Sequence, residues 1–469
     1  MKKYILYVLS ALLVLFTSCD SYLDTETYNQ IYTEDAFTSP SDVKAARNGL
    51  YYLLGTYRFV GKNVIAVGDF SSDISVADGS SGHFVRFNNY TIADSDAELE
   101  EIWYYGYRVV NNATKIINGI DALLTDESSS DTDKDLLYQY KAEAFGIRAF
   151  AYFHLVNVFG LPYGVDNNPH GGLVLMDKVA IEPEENVSRS SVEDTYSQIL
   201  ADIKSSIDTY MLTEEESNEF YFSKAAVYAL SARVKLYMKD FDGAIADATE
   251  SLKIKEPSEL SDEDYLAMWS SLNISEEDIF TIAKTEDDNL SANSLNTLYG
   301  SYGGWFTEEF LADFEKTDAR LALFQSGNLL VKFGGIPTSK ATSNIPQFRV
   351  SEMKLIIAEA EAMNDQLTNA QNALIYTAKR DSAITSVGDL PDTKDELLAF
   401  IAKERKRELF AEGHRYYDAR RTGEKITVAN GKFPDFDIQN FVFPIPSDEI
   451  NSGFQCEQNE GWFDFLPQS

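Results

Sequence analysis

The chain has 469 residues, with 75 acidic against 40 basic side chains, a formal charge of −35 and a 44 % hydrophobic content. A balance this acidic argues against nucleic acid and anionic lipid headgroups as partners and suits neutral ligands or cationic partners, or simply a soluble surface. An aromatic content of 13 % excludes a disordered tail and supplies ample material for a core.

Lys2 and Lys3 precede an apolar run from Tyr4 to Phe16, and Thr17 and Ser18 then lead into Cys19. This order predicts a lipoprotein signal peptide over residues 1–18 with Cys19 as the lipidated N-terminus. The apolar run would span about 20 Å as a helix against a hydrocarbon core of roughly 30 Å, too short for a permanent anchor. Acyl chains at ~0.8 kcal/mol per buried CH₂ would hold the protein on a membrane instead. Lipidation leaves Cys456 alone, so no internal disulfide is possible and packing must stabilise the fold. Residues 19–35 read as a lipidated polar tether, and 36–469 as a single domain.

Helices dominate that domain. Ser39 and Pro40 open the first, with Val43, Ala46, Leu50, Leu53 and Leu54 at spacings of three and four. The pattern returns from Glu98 to Leu124, and a third helix runs from about Asp135 to Phe159, stopped by Gly160-Leu161-Pro162. Asp131 to Asp135 starts like a calcium loop but carries Leu136 where glycine is required and Ala142 where glutamate is required, so it reads as a solvated linker. A fourth helix starts at Ser190, with Glu193 completing a capping box. Strand alternation of any length is missing from this part of the sequence.

Residues 223–257 form the clearest internal unit, a helix hairpin with Ala226, Ala229, Leu230, Arg233 and Tyr237 on one arm and Ala244, Ala248 and Leu252 on the other. It resembles a tetratricopeptide repeat ending at Pro257. One hairpin cannot bury its own apolar face, so about four such pairs are expected to stack into an all-α scaffold.

Two irregular stretches interrupt the helices, about Gly68 to Asp96 and about Asp287 to Trp305, and long loops in compact domains carry function. They hold the ligand-binding candidates His83, Phe84, Arg86, Phe87, Asn88, Tyr90, Asn296, Tyr299, Tyr302 and Trp305. Aromatic faces beside amides suit a sugar ring, which stacks its C–H faces and hydrogen-bonds its hydroxyls. A peptide would use the same surface. Trp305 leads the set, because Gly303-Gly304 would leave backbone room for a ring. No catalytic motif, metal spacing or cofactor fingerprint occurs, so neither an enzyme nor a cofactor or metal site is predicted.

Four segments carry a family resemblance. Ala142 to Val156 with Phe159-Gly160-Leu161-Pro162, Arg349 to Met363 with Ala358-Glu359-Ala360, Glu404 to Arg421, and Phe443-Pro444-Ile445-Pro446 with Gln458-Asn459-Glu460-Gly461 resemble, in order, motifs of the SusD/RagB family of outer-membrane nutrient-binding lipoproteins. Glu460 stands where the family has proline, and Ala419 where it has leucine. Physically, Arg148, Arg407 and Arg415 amid Glu143, Glu404, Glu408 and Glu412 read as ion pairs between packed helices. The resemblance implies a non-enzymatic, surface-exposed lipoprotein that captures glycan, or peptide in some branches, and closes as a lid on a SusC-like TonB-dependent transporter. A repeat scaffold that binds only protein is the alternative of a different class.

Overall fold

A computed structural model describes residues 37–125, 130–165, 167–176, 187–213, 218–325, 329–429, 431–452, 456–459, 462–464 and 466. The signal peptide, Cys19 and the tether lie outside them. Helix α1 (Pro40–Leu54) begins as its sequence dictates, with the Ser39 hydroxyl accepting from the Asp42 N–H and Pro40 in the first turn. It is followed by α2 (Asn63–Phe70), β1 (Ser75–Ala77), α3 (Val85–Asn89) and the long α4 (Ala97–Leu124) and α5 (Asp131–Phe159). After these come α6 (Val192–Tyr210), α7 (Lys224–Tyr237), α8 (Phe241–Lys255), α9 (Asp262–Met268), β2 (Asp278–Ile282), α10 (Leu295–Leu298), β3 (Gly304–Phe306) and α11 (Glu308–Leu311). The last third holds β4 (Phe324–Gln325), β5 (Leu329–Leu330), β6 (Ile345–Arg349), α12 (Val350–Met363), α13 (Leu367–Ala378), α14 (Lys394–Leu409), α15 (Arg415–Thr422), β7 (Ile426–Val428) and β8 (Phe433–Phe436).

The fold is all-α, and among the described residues four helix pairs pack together: α1 with α4, α5 with α6, α7 with α8 and α12 with α13. Successive pairs stack through α4 on α5, α6 on α7 and α8 on α12, and α14 covers the last. The hairpin of α7 and α8 buries Ala226, Ala229, Leu230, Ala244 and Ala248, small residues that let the two backbones approach closely. Two expected helix starts move. Asp131 to Asp135 is the first turn of α5, capped by Ser130 accepting from Asp133 N–H (3.1 Å), because acids favour the positive end of a helix over a free linker. The cap of α6 is Ser191, accepting from Asp194 N–H (2.9 Å), while Ser190 donates to the Leu173 carbonyl (2.8 Å). Strands do occur, among the described residues as four two-stranded pairs of two to five residues, too short to show alternation in sequence.

The motif segments hold one another. Arg420 donates to the carbonyls of Asn157 (2.6 Å), Gly160 (2.9 Å) and Phe441 (2.8 Å), and Asn459 to those of Phe159 (2.9 Å) and Phe443 (2.6 Å). These groups satisfy the orphan carbonyls at the end of α5. The acidic and basic motif residues are structural, with pairings that sequence did not assign. Arg148 pairs with Asp202 (2.6 Å), while Glu143 holds Arg47 (2.6 Å) and Arg407 turns back to Glu404 of its own helix (2.5 Å). At the centre, Arg349 reaches Glu277 (3.0 Å), Glu408 (2.8 Å) and Glu412 (2.7 Å), and Arg320 reaches Asp318 and Glu404, both at 2.8 Å.

Candidate functional site

The two irregular stretches meet as a ribbon. Strand β1 pairs antiparallel with β3, setting Ser75 opposite Phe306, Val76 opposite Trp305 and Ala77 opposite Gly304. Directly opposed side chains share a face and successive ones alternate. Ser75, Ala77, Gly304 and Phe306 accordingly face inward and are buried, while Val76 and Trp305 face outward and are half-buried. Trp305 lines a cleft of about 690 Å³ together with Asp73, Val76, Glu308, Glu309 and Lys406. A second cleft of about 500 Å³ along α14 adjoins it, sharing Ile74, Asp313 and Lys406, the last two an ion pair at 2.9 Å.

Beneath the ribbon runs a column of stacked rings. Phe84 lies on Phe70 (centroids 5.7 Å apart), Phe70 on Tyr299 (5.6 Å) and Tyr299 on Phe306 (5.4 Å). Hence Phe84 and Tyr299, both expected to meet a ligand, have their faces covered by neighbours. The Tyr299 hydroxyl donates to the buried Asp69 carboxylate, which also accepts from Gly413 N–H (3.2 Å). Burial pushes Asp69 up to about 7, against both hydrogen bonds. The contact forms because Gly68 lies directly against Gly413, where a Cβ on Gly68 would come within 2.1 Å of the Gly413 carbonyl oxygen.

Other candidates are internal as well. Phe87 packs between Phe84 and Phe443, and Tyr90 donates to the Ser71 carbonyl (2.5 Å) and edges against Phe436 and Phe441. Asn88 brackets the ribbon, donating to the carbonyls of Phe70 (3.1 Å) and Ser75 (3.0 Å) and accepting from Ala77 N–H (3.3 Å). Arg86 is the exception, an exposed side chain that pairs with the buried Asp96 (2.6 Å). Gly303 and Gly304 admit the protein's own side chains instead: a Cβ at the first would strike the exposed Asp78 and Ser80, and at the second Phe70 and the Leu298 carbonyl. The room they make is filled by the protein.

With Arg86, five candidates retain surface. His83 and Tyr302 stack with centroids 4.5 Å apart at 15°, Trp305 follows on the same ribbon, and Asn296 lies half-buried on α10. Burial and the Lys62 ammonium both lower the His83 pKa, so the ring is neutral at pH 7. Arg415 ties the base of the ribbon to α15, reaching Asp73 and Glu424, each at 2.6 Å. Burial would raise the Asp73 pKa, but this guanidinium holds it below the usual range. Sequence reasoning missed Asp73, Lys406 and Lys62. The last was the legible one, a lone cation in the nearly unbroken apolar run from Phe59 to Phe70. The arrangement offers ring faces beside donors and acceptors of both charges. Among the described residues, no group of three or more His, Cys, Asp or Glu is placed to hold a metal ion.

Comparison with known proteins gives one family throughout. Residues 21–236 match a SusD-like family model described as starch-binding and associating with the outer membrane, and residues 329–462 match the model of the SusD family. SusD-like protein P2 of Formosa agariphila is 24 % identical, covering 96 % of this chain and 97 % of its own. Among solved structures, a SusD superfamily protein of Bacteroides vulgatus is 28 % identical with a TM-score of 0.79, covering 92 % of this chain and 100 % of its own. A SusD-like carbohydrate-binding protein from the same species shares the fold at 21 % identity and a TM-score of 0.71, covering 83 % and 84 %.

Proposed function

Because the chain belongs to the SusD family, we propose that it is an outer-membrane lipoprotein, anchored through Cys19, that binds oligo- or polysaccharide on its ribbon face and delivers it to a SusC-like TonB-dependent transporter. The observation that carries this reading is the outward-facing Trp305 at a cleft of about 690 Å³, with the partly exposed stack of His83 on Tyr302, the latter just before it in the second irregular stretch. A pre-built aromatic surface binds a sugar face without first paying to order it, and each stacked ring contributes about 0.5–1.5 kcal/mol beyond area burial. The starch-binding description of the matched family and the carbohydrate-binding relative point to the same ligand class. Binding, not bond cleavage, is the proposed role.

Native gels containing soluble starch, xylan or polygalacturonate test the ligand. Retardation in at least one polymer with no release of reducing ends is expected. Release of reducing ends would make the protein a hydrolase, and free migration in all three would favour peptide or protein as the ligand. For delivery, extraction in mild detergent should recover a large β-barrel with this chain, and Cys19→Ala should lose it from the outer-membrane fraction. Recovery as a lone monomer would contradict the transporter partnership.

A further inference from the structure

Lys62 breaks three local rules at once. It occupies the N-cap of α2, where its side chain caps nothing and its cation meets the positive end of the helix. It is 5 % exposed, yet among the described residues no carboxylate lies within ion-pair reach of its ammonium. It feels the charges of Glu101 and Glu98 from beyond ion-pair distance, and Glu101 gives one oxygen to Arg58 (3.1 Å) and the other to Asn63 (2.9 Å). What remains is a long 3.5 Å contact to Asn293 Oδ1 and the ring faces of Tyr57 (4.9 Å) and Phe84 (5.6 Å). The turn that delivers the lysine is tight, since a Cβ on Gly61 would come within 2.5 Å of the Gly55 carbonyl oxygen. Burial draws the pKa down to about 8, so the group is mostly charged at pH 7.

A buried ammonium with unfilled donors costs folding free energy, and breaches of local rules without internal compensation mark functional positions. Phe84, under Lys62, is the first ring of the column and follows His83 in the chain, so the lysine adjoins the His83–Tyr302 end of the ribbon face. Tyr57 and Asn293, which flank it, are half-buried and reach the surface.

We propose that Lys62 is a specificity-determining donor of the ligand face, its ammonium, framed by Tyr57, Phe84 and Asn293, hydrogen-bonding an oxygen of the bound glycan. The inference rests on the glycan reading above. That oxygen is a hydroxyl of a neutral chain or a carboxylate of a uronic acid, and the polymer that retains the protein separates the two. Lys62→Met keeps the length of the side chain and its ring contacts while removing charge and donors.

The test runs wild type and Lys62→Met in native gels of starch, xylan and polygalacturonate and measures both melting temperatures. The expected result is at least tenfold weaker retention of the variant in the polymer that retards wild type, with a melting temperature equal to or above wild type. Retention by starch or xylan identifies a hydroxyl, and by polygalacturonate alone a carboxylate. Unchanged retention, or a fall in melting temperature alongside the loss, would overturn the assignment. Wild type unretarded in every gel would be the failure of the glycan reading, and Lys62 would lose its role with it.

Discussion

Lys332 and Lys62 are both buried ammonium groups whose pKa burial draws down to about 8, yet they keep opposite company. Lys332 donates to Glu412 (2.7 Å) and to the carbonyls of Phe410 (2.7 Å) and Glu408 (3.1 Å), so every proton on its nitrogen has an acceptor. Lys62 has a single long contact. The first belongs to the helical scaffold, where Arg320, Arg349 and Arg380 surround Glu408 and each charge is neutralised in place. The second belongs to the ribbon face, where polar groups are left open. A buried charge by itself therefore does not indicate function; what distinguishes the two regions is whether the protein supplies the partners.

The strongest way to break this contrast is Arg349→Met, which strips Glu277, Glu408 and Glu412 of a shared guanidinium. A loss of about 3–5 kcal/mol in denaturant unfolding is expected, and a loss below about 1 kcal/mol would mean that the network is not what holds the scaffold. Acid probes the same charges together. Burial alone would raise Glu408 and Glu412, but Arg380, Arg349, Arg320 and Lys332 hold the first, and Arg349 and Lys332 the second, below the ordinary value. Their contribution is complete above the unfolded pKa near 4.5 and is lost as pH falls through their lower folded values, so unfolding should become easier from about pH 4 downward.

Lys332→Met should come next, at about 1–3 kcal/mol destabilising, because it leaves two carbonyls and a carboxylate short of a donor. Smallest is Lys62→Met, whose melting temperature should rise by up to about two degrees. Opposite signs for these two buried lysines would sharpen the comparison, and equal destabilisation would erase it.

Much of the scaffold was legible in the chain. The three-and-four spacing of Leu99, Ile102, Trp103, Val110, Ala113, Ile116, Ile117 and Ile120 matches the face that α4 buries, because helix periodicity and burial are one property seen twice. The proposed ligand face was less legible. Strands β1 and β3 are three residues long, so alternation could not announce them. Which aromatic is covered depends on two regions far apart in sequence, one holding Phe70 and Phe84 and the other Tyr299 and Phe306, and composition cannot separate a ring in that column from one above it. The same distance hid the partner of Arg148, since Asp202 lies on the next helix.

The central claim is that ligand binds on the outward side of the ribbon while Phe70, Tyr299 and Phe306 beneath it serve the fold. Trp305→Ala tests it most directly, with affinity for the polymer that retards wild type and melting temperature measured on the same preparation. The account predicts about tenfold weaker binding, roughly 1.4 kcal/mol, and a melting temperature within a few degrees of wild type. Unchanged affinity, with or without a large fall in melting temperature, would place the ligand elsewhere.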